Sequence, residues 1–381
     1  MEAQNFIKNR HSANVCPLYP GNKYGIKLNQ LCLNHKDRPL SKKVLITGIG
    51  GQDGYFLTKL LLERGYGIHG LIRRDSPKGL GTIEFLSSQD QARLIIHEGN
   101  IVSKDFIDEL IRFSQFDQVY HLAAQSSVAQ SIQHPRETIE TNVLGLTNIS
   151  TAIRDKSPGT RLIFAGSSEM FGNLTEGSQN ELTPPHPQSP YGLTKELGFH
   201  LISTYRKHYG LWAASAVLFN HESEFRGPQF VTTKIIQSVV RIGSGSDEIL
   251  SLGNIYVQRD WGYAGDYMKG ILRMIDQESP EDYVLATGKL HSVKEFVNAA
   301  FNQVGITLAW SGAGLEEKAI NEESGKTIVQ ISEKFYRPGD VTGTCGDATK
   351  ARDQLGWLPE TSLEEVISKM LEHQKAPKVA S

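Results

Sequence analysis

The sequence predicts an α/β fold, a doubly wound parallel sheet with a smaller C-terminal lobe, and three observations carry that expectation. Short apolar strand-like runs alternate with helical spacings from Ser41 to Phe219, a glycine cluster separates the first run from the first helix, and the alternation loosens after Phe219. Strands separated by helices need crossover connections, which give a parallel sheet covered on both faces.

Val44-Leu45-Ile46-Thr47 reads as a buried strand. Tyr55 to Arg64 follows, with Phe56, Leu57, Leu60 and Leu61 on one helical face and Gly65 suited to end it. Ile68 to Ile72, Arg93 to His97, Gln118 to Leu122, Leu162 to Ala165 and Ala214 to Phe219 continue the strand series, and Lys104 to Arg112 and Tyr191 to Tyr209 are helical. Beyond lie a Gly/Ser-rich stretch (Ile242 to Asp247) and helices at Ser292 to Gln303 and Leu363 to Gln374. The expected organisation is a tail over 1–40, a dinucleotide-binding domain over 41–219, a region over 220–375 that is mainly a substrate lobe and partly returns to the first domain, and a short tail over 376–381.

Composition narrows the class. At 381 residues, with 39% hydrophobic and 22% charged content, the chain has enough apolar side chain for a large core. A net charge of −2 gives no reason to expect nucleic acid or an anionic membrane as partner. Cys16, Cys32 and Cys345 fit neither a disulfide framework nor a zinc cluster, which points to a reducing, cytoplasmic setting and no metal. No apolar run is long enough to span a bilayer. The first 40 residues carry six Lys/Arg against two acids without periodicity and read as a tail outside the fold.

Thr47-Gly48-Ile49-Gly50-Gly51-Gln52-Asp53-Gly54 sits between strand and helix. Glycines at 48, 51 and 54 allow a tight turn, close approach of backbone to a pyrophosphate, and close helix–sheet packing; the phosphates then meet the N–H groups and positive end of the helix. This is the dinucleotide fingerprint of a Rossmann-type sheet. Arg73-Arg74 ends the second strand, where an acid would bind a ribose 2′-hydroxyl and an arginine a 2′-phosphate, so the expected cofactor is NADP.

Tyr191-Gly192-Leu193-Thr194-Lys195 places a phenol and an ammonium on one helical face, a pairing that lowers the phenol's pKa for acid–base work. Ser167-Ser168-Glu169 follows a strand at its carboxyl end, where open parallel sheets bind ligands. An alcohol dehydrogenase needs no carboxylate beside that hydroxyl. A dehydratase does, because oxidation at one sugar carbon makes the neighbouring C–H acidic and a base must remove its proton.

From Lys43 to Glu372 the chain resembles the GDP-mannose 4,6-dehydratase family of extended short-chain dehydrogenases. The likeness lies in Ile46-Thr-Gly-Ile-Gly-Gly-Gln-Asp-Gly54, Ile72-Arg-Arg74, Leu122-Ala-Ala-Gln-Ser126, Ser167-Ser-Glu169, Ser189-Pro-Tyr-Gly192, Leu218-Phe-Asn-His-Glu-Ser223, Phe230-Val-Thr-Thr-Lys234, Arg259-Asp-Trp-Gly262, Ala286-Thr-Gly-Lys-Leu-His-Ser-Val293 and Tyr336-Arg-Pro338. The resemblance implies Ser167, Glu169, Tyr191 and Lys195 as catalytic residues. It implies an NADP site of Gly48, Gly51, Gln52, Asp53, Gly54, Arg73, Arg74, Asn100, Ile101, Leu122, Ala123, Ala124, Ser126, Tyr191, Lys195, His221 and Arg226. A GDP-sugar site would comprise Ser126, Glu169, Tyr191, Asn220, Val231, Lys234, Arg259 and Arg337, with the two arginines suited to diphosphate oxygens. A homodimer or homotetramer is also implied.

Three positions depart from the family pattern: Ser167 stands for threonine, Gly99-Asn100-Ile101 for Gly-Asp-Leu, and Glu224-Phe225 precedes Arg226 where Pro-Arg is usual. The rival readings are a dehydratase of GDP-heptose or another nucleotide sugar, an epimerase or reductase on the same scaffold, and an NADP-binding protein without turnover.

Overall fold

The computed structural model describes residues 42–73, 80–173, 177–336 and 341–376. The N-terminal tail with Cys16 and Cys32, Arg74, residues 75–79 of the loop after it, Arg337 and the last five residues lie outside the described residues.

Among the described residues, β1 (Lys43–Thr47), β2 (Gly67–Ile72), β3 (Leu94–Glu98), β4 (Gln118–His121), β5 (Arg161–Ser167), β6 (Ala213–Leu218) and the strand Tyr283–Leu285 form one parallel sheet. Its order is Tyr283–Leu285, β6, β5, β4, β1, β2, β3. The chain therefore reverses its direction of travel across the sheet between β1 and β4, the position at which open α/β sheets bind ligands. Strand limits fall within a residue or two of the sequence expectation: Arg93 to His97 becomes Leu94–Glu98, for example.

Two compact units divide the chain. Residues up to Gln125, with Arg136–Phe164 and His200–Ala214, form the first. Its core joins Leu45, Leu71 and Val119 of the strands to Phe106, Ile107, Leu110 and Ile111 of the helix Lys104–Ser114, and to Leu146, Ile149 and Ile153 of the helix Gly145–Lys156. That spacing is the apolar stripe of an amphipathic helix, and each fully buried Ile, Leu or Phe contributes about 1.5–3 kcal/mol. The helix α1 (Gln52–Glu63) buries Leu57, Leu61 and Leu62, and Gly65, at φ +75°, closes it.

Ser126–Pro135, Ala165–Phe199 and the chain from Ser215 onward form the second unit. The helices Val231–Gly243, Val293–Asn302 and Leu363–Lys375 contribute Ile235, Val239, Phe296, Val297, Val366 and Ile367 to its core. Ser292 and Ser362 begin two of these helices with capping boxes completed by Glu295 and Glu365. A three-stranded sheet places Gln258–Arg259 between His291–Ser292 and Gly343–Thr344. At the edge strand Tyr283–Leu285, the Val284 N–H donates to the Glu181 carboxylate at 2.7 Å. No helix among the described residues is long and apolar enough to cross a membrane.

Candidate active site

In the first unit the candidate dinucleotide residues lie at the carboxyl ends of four neighbouring strands. Gly48 to Gly54 follow β1, Arg73 follows β2, Asn100 and Ile101 follow β3, and Leu122 to Ala124 follow β4. Gly48 adopts φ +74°, and a Cβ there would stand 2.8 Å from the Ala123 nitrogen, so the turn excludes side chains from its backbone. The Gly51 N–H donates to Gly48 O at 3.0 Å, closing the turn, and Gly51 begins α1 without a side-chain cap. A bare backbone turn feeding an uncapped helix N-terminus fits a pyrophosphate. The Ala123 N–H donates to Thr47 Oγ1 at 3.2 Å, and Thr47 Oγ1 also hydrogen-bonds His121 Nδ1 at 2.9 Å, which pins the ends of β1 and β4 together. Arg73 is exposed, Ile101 is buried, and exposed Asn100 uses its side-chain oxygen to accept the Val102 N–H at 3.0 Å.

The candidate reaction residues assemble in the second unit. Where β5 ends, the Ser167 hydroxyl accepts the Glu169 N–H at 3.3 Å and starts the single turn Ser168–Met170. The helix Pro190–Tyr209 begins with proline, a residue pre-set for that position, while the Ser189 hydroxyl accepts the Gly192 N–H at 3.0 Å. Tyr191 is 8% exposed and Lys195 4%, so charge on the ammonium is weakly screened. The Lys195 Nζ donates to the Ala165 carbonyl at 2.7 Å and stands 5.7 Å from the centroid of the Tyr191 ring. A Cβ at Gly192 would fall 2.5 Å from the Glu169 carbonyl oxygen, so the first helical turn and the Glu169 turn touch only because residue 192 lacks a side chain.

Other candidates of this unit occupy separate settings. Asn220 and His221 lie on a short strand paired with Trp261–Tyr263. The His221 Nδ1–H donates to Phe219 O at 2.7 Å, and the ring stacks on Tyr267 at 4.9 Å. The Arg226 guanidinium lies 3.6 Å over the Phe230 ring, with its Nε 3.1 Å from buried Glu222. Exposed Val231 begins a helix in which the Lys234 Nζ donates to Ser251 O at 2.6 Å and stands 3.5 Å from the Phe335 ring centroid. Burial, then the nearby Lys334 charge, lowers the Lys234 pKa below the ordinary lysine value. The Arg259 Nη1 donates to Val341 O at 2.7 Å. Ser126 is exposed.

Asp260, within Arg259-Asp-Trp-Gly262, has a role of its own that the sequence pattern does not assign. The structure buries it completely with four donors on its carboxylate. The signal was an acid flanked by Arg259 and the apolar Trp261, an odd place for a charge unless neighbours satisfy it.

The GDP-mannose 4,6 dehydratase family model matches residues 45–370. A GDP-mannose 4,6-dehydratase from Sinorhizobium fredii is 40% identical over 335 residues, covering 87% of this chain and 95% of that one. A GDP-mannose 4,6 dehydratase from Drosophila melanogaster is 40% identical over 336 residues, covering 87% and 85%. Among solved structures, the UDP-glucose 4-epimerase of Thermus thermophilus in complex with NAD superposes with a TM-score of 0.72 at 25% identity, covering 88% of this chain and 99% of that one. With the glycine turn at the sheet's reversal point and the Ser167, Glu169, Tyr191 and Lys195 cluster in place, the chain belongs to the GDP-mannose 4,6-dehydratase family.

Proposed function

We propose that this chain converts GDP-mannose to GDP-4-keto-6-deoxymannose, with NADP as its resident cofactor, in a cytoplasmic homodimer or homotetramer. The observation that carries the reading is the buried arrangement around Tyr191. Lys195, one helical turn on, is tethered to Ala165 O, and Gly192, the next residue, admits the Glu169 turn. Nucleotide-sugar 4,6-dehydration is the chemistry of the family, and it calls for a base for an alcohol and a base for an acidic C–H, the roles that Tyr191 and Glu169 would take.

The glycine turn and the α1 N-terminus would hold the pyrophosphate, and exposed Arg73 would meet a 2′-phosphate. When bound, NADP would supply the hydride chemistry, as acceptor from sugar C4 and as donor to C6. Tyr191 removes the C4 hydroxyl proton, assisted by the Lys195 ammonium, which favours the phenolate. Ser167 hydrogen-bonds the same hydroxyl and holds it in line. Glu169 then takes the C5 proton, made acidic by the C4 ketone, and hands it to the departing C6 hydroxyl, so that water leaves; as C6 gains hydride, C5 takes the proton that Tyr191 drew from the C4 hydroxyl, which resets both side chains. Arg259 and Arg337 would receive the nucleotide diphosphate, and Lys234 would help hold the sugar nucleotide.

The test is incubation with GDP-mannose and catalytic NADP, followed by product mass. Loss of one water with no net cofactor reduction is the expected result. An unchanged sugar, or stoichiometric reduced cofactor without water loss, overturns the reading.

A further inference from the structure

We propose that Asp260 is a positioning residue, whose buried carboxylate fixes the three-stranded sheet that aims the Arg259 guanidinium at the diphosphate of the sugar nucleotide. The proposal rests on the reading of Arg259 as a diphosphate ligand.

Asp260 is 0% exposed and accepts four hydrogen bonds. One oxygen takes the Thr287 N–H at 2.8 Å and the Thr287 hydroxyl at 2.6 Å; the other takes the Gly288 N–H at 2.8 Å and the Gly346 N–H at 3.1 Å. Thr287 and Gly288 lead into His291–Ser292, and Gly346 follows Gly343–Thr344. These are the two strands that flank Gln258–Arg259, so one carboxylate ties both neighbours to the strand that bears the arginine.

The link to the guanidinium is continuous. The Gln258 N–H donates to Thr342 O at 2.9 Å and the Asp260 N–H to Thr344 O at 3.2 Å, which sets the register of residues 342–344 against the arginine. Val341 continues the same segment, and its carbonyl accepts the Arg259 Nη1–H at 2.7 Å. The Gln258 carbonyl accepts from the same nitrogen at 2.9 Å. Both acceptors are main-chain groups, and the shorter of the two bonds goes to the 341–346 segment, so the course of that segment bears directly on where the guanidinium lies. Asp260 holds that segment at Gly346 and at Thr344.

The residue type follows from the donors. A carboxylate offers about four acceptor sites, whereas an asparagine offers one oxygen and turns two N–H groups outward. Asparagine at this position would face donors with donors on one of its two sides. The four partners carry no charge, so the carboxylate serves here as an acceptor and not as half of an ion pair.

The experiment is a double-mutant cycle of Asp260→Asn and Arg259→Ala in the full chain with NADP. It reads the KM for GDP-mannose, kcat, and the Kd values of GDP and of NADP. Asp260→Asn should raise the KM and the GDP Kd at least roughly tenfold, the worth of one charge-assisted hydrogen bond. The fall in kcat should be smaller than the rise in KM, and NADP affinity should hold. Arg259→Ala should do the same, and the double variant should be no worse than Arg259→Ala alone. Should Asp260→Asn fail to fold, Thr287→Val, which deletes one of the four donors, enters the same cycle with a smaller rise expected. Additive effects in the cycle, or a loss of NADP affinity and kcat as large as the loss of GDP affinity, overturn the positioning role while leaving Arg259 a ligand. An Arg259→Ala variant with unchanged GDP affinity overturns both readings.

Discussion

Replacing Gly192 by alanine sets two opposed effects against each other. Alanine is the better helix former by about 0.8–1 kcal/mol, so propensity alone predicts a more stable chain. The added Cβ, however, would stand 2.5 Å from the Glu169 carbonyl oxygen and 3.1 Å from the Pro187 Cβ. Relief to a relaxed contact near about 3.5 Å requires the helix start and the Glu169 turn to part by roughly 1 Å. Neither neighbour yields by rotating a flexible side chain, since one is backbone and the other a ring carbon. Overpacking of this kind typically costs about 1–3 kcal/mol, which outweighs the propensity gain. The catalytic consequence is larger, because Tyr191 and Glu169 sit on the two surfaces being separated, and a misplacement of about 1 Å can cost roughly a hundredfold in rate. The expected outcome is a Tm a few degrees lower, kcat reduced by about 10- to 100-fold, and NADP affinity close to normal, measured by thermal melting, steady-state kinetics and cofactor titration. A variant with raised Tm and unaltered kcat would refute the reasoning, since the contact would then be irrelevant to the spacing of the two groups.

Other expectations follow from the same geometry. Glu169→Gln should retain cofactor binding, lose about 100- to 10,000-fold in turnover and stop solvent deuterium entering sugar C5, whereas Tyr191→Phe should block the appearance of reduced cofactor in a single turnover. Gly48→Ala should weaken NADP binding, because φ +74° is strained for alanine by about 1–2 kcal/mol and its methyl would meet the Ala123 nitrogen; fluorescence titration reads the change. Tyr267→Phe should leave Tm unchanged or raise it, since the hydroxyl is buried without a hydrogen-bond partner among the described residues and such a group costs about 1–3 kcal/mol. His69 and His97 are buried on β2 and β3 and share a hydrogen bond of 2.8 Å. Burial, followed by the charges of His97 and Lys43, pushes His69 down to about 3, and burial pushes His97 to about 4. Unfolded imidazoles titrate near about 6.5, so between these values the unfolded chain binds more protons than the folded one. Stability is therefore fully present above roughly pH 6.5 and drains away as pH falls toward 4, and a His69→Leu/His97→Leu variant should show a flatter Tm against pH across that window.

Much of the fold was legible because its signals are local. Leu57 and Leu61 behind the glycines, and Phe106, Ile107 and Leu110 further on, recur at helical spacing on faces that the structure buries. The helix Ala264–Ile275 carries the same kind of period, with Met268, Ile271, Leu272 and Ile275 buried and Lys269 and Arg273 sharing the opposite face, so it too is legible from spacing alone. The strands Gln258–Arg259, His291–Ser292 and Gly343–Thr344 are too short for alternation to register, and their partners are far away in sequence. The reaction residues could be read because Ser167 ends a recognisable strand and Tyr191 and Lys195 share one helical turn. At Asp260 the local sequence shows only an acid beside an apolar residue; its role is set by Thr287, Gly288 and Gly346, three residues that nothing local connects to it.

The Glu181 carboxylate at the edge of the sheet bears on colloidal behaviour. An edge strand normally offers a row of vacant main-chain donors and acceptors, an invitation for a second chain to dock and propagate. Tyr283–Leu285 is three residues long, and its central N–H is already consumed by Glu181. A would-be aggregating strand thus finds its template shortened and, at Val284, chemically quenched. The large parallel sheet can end there, on a strand whose side chains are all buried, with little risk of growing from one molecule into the next.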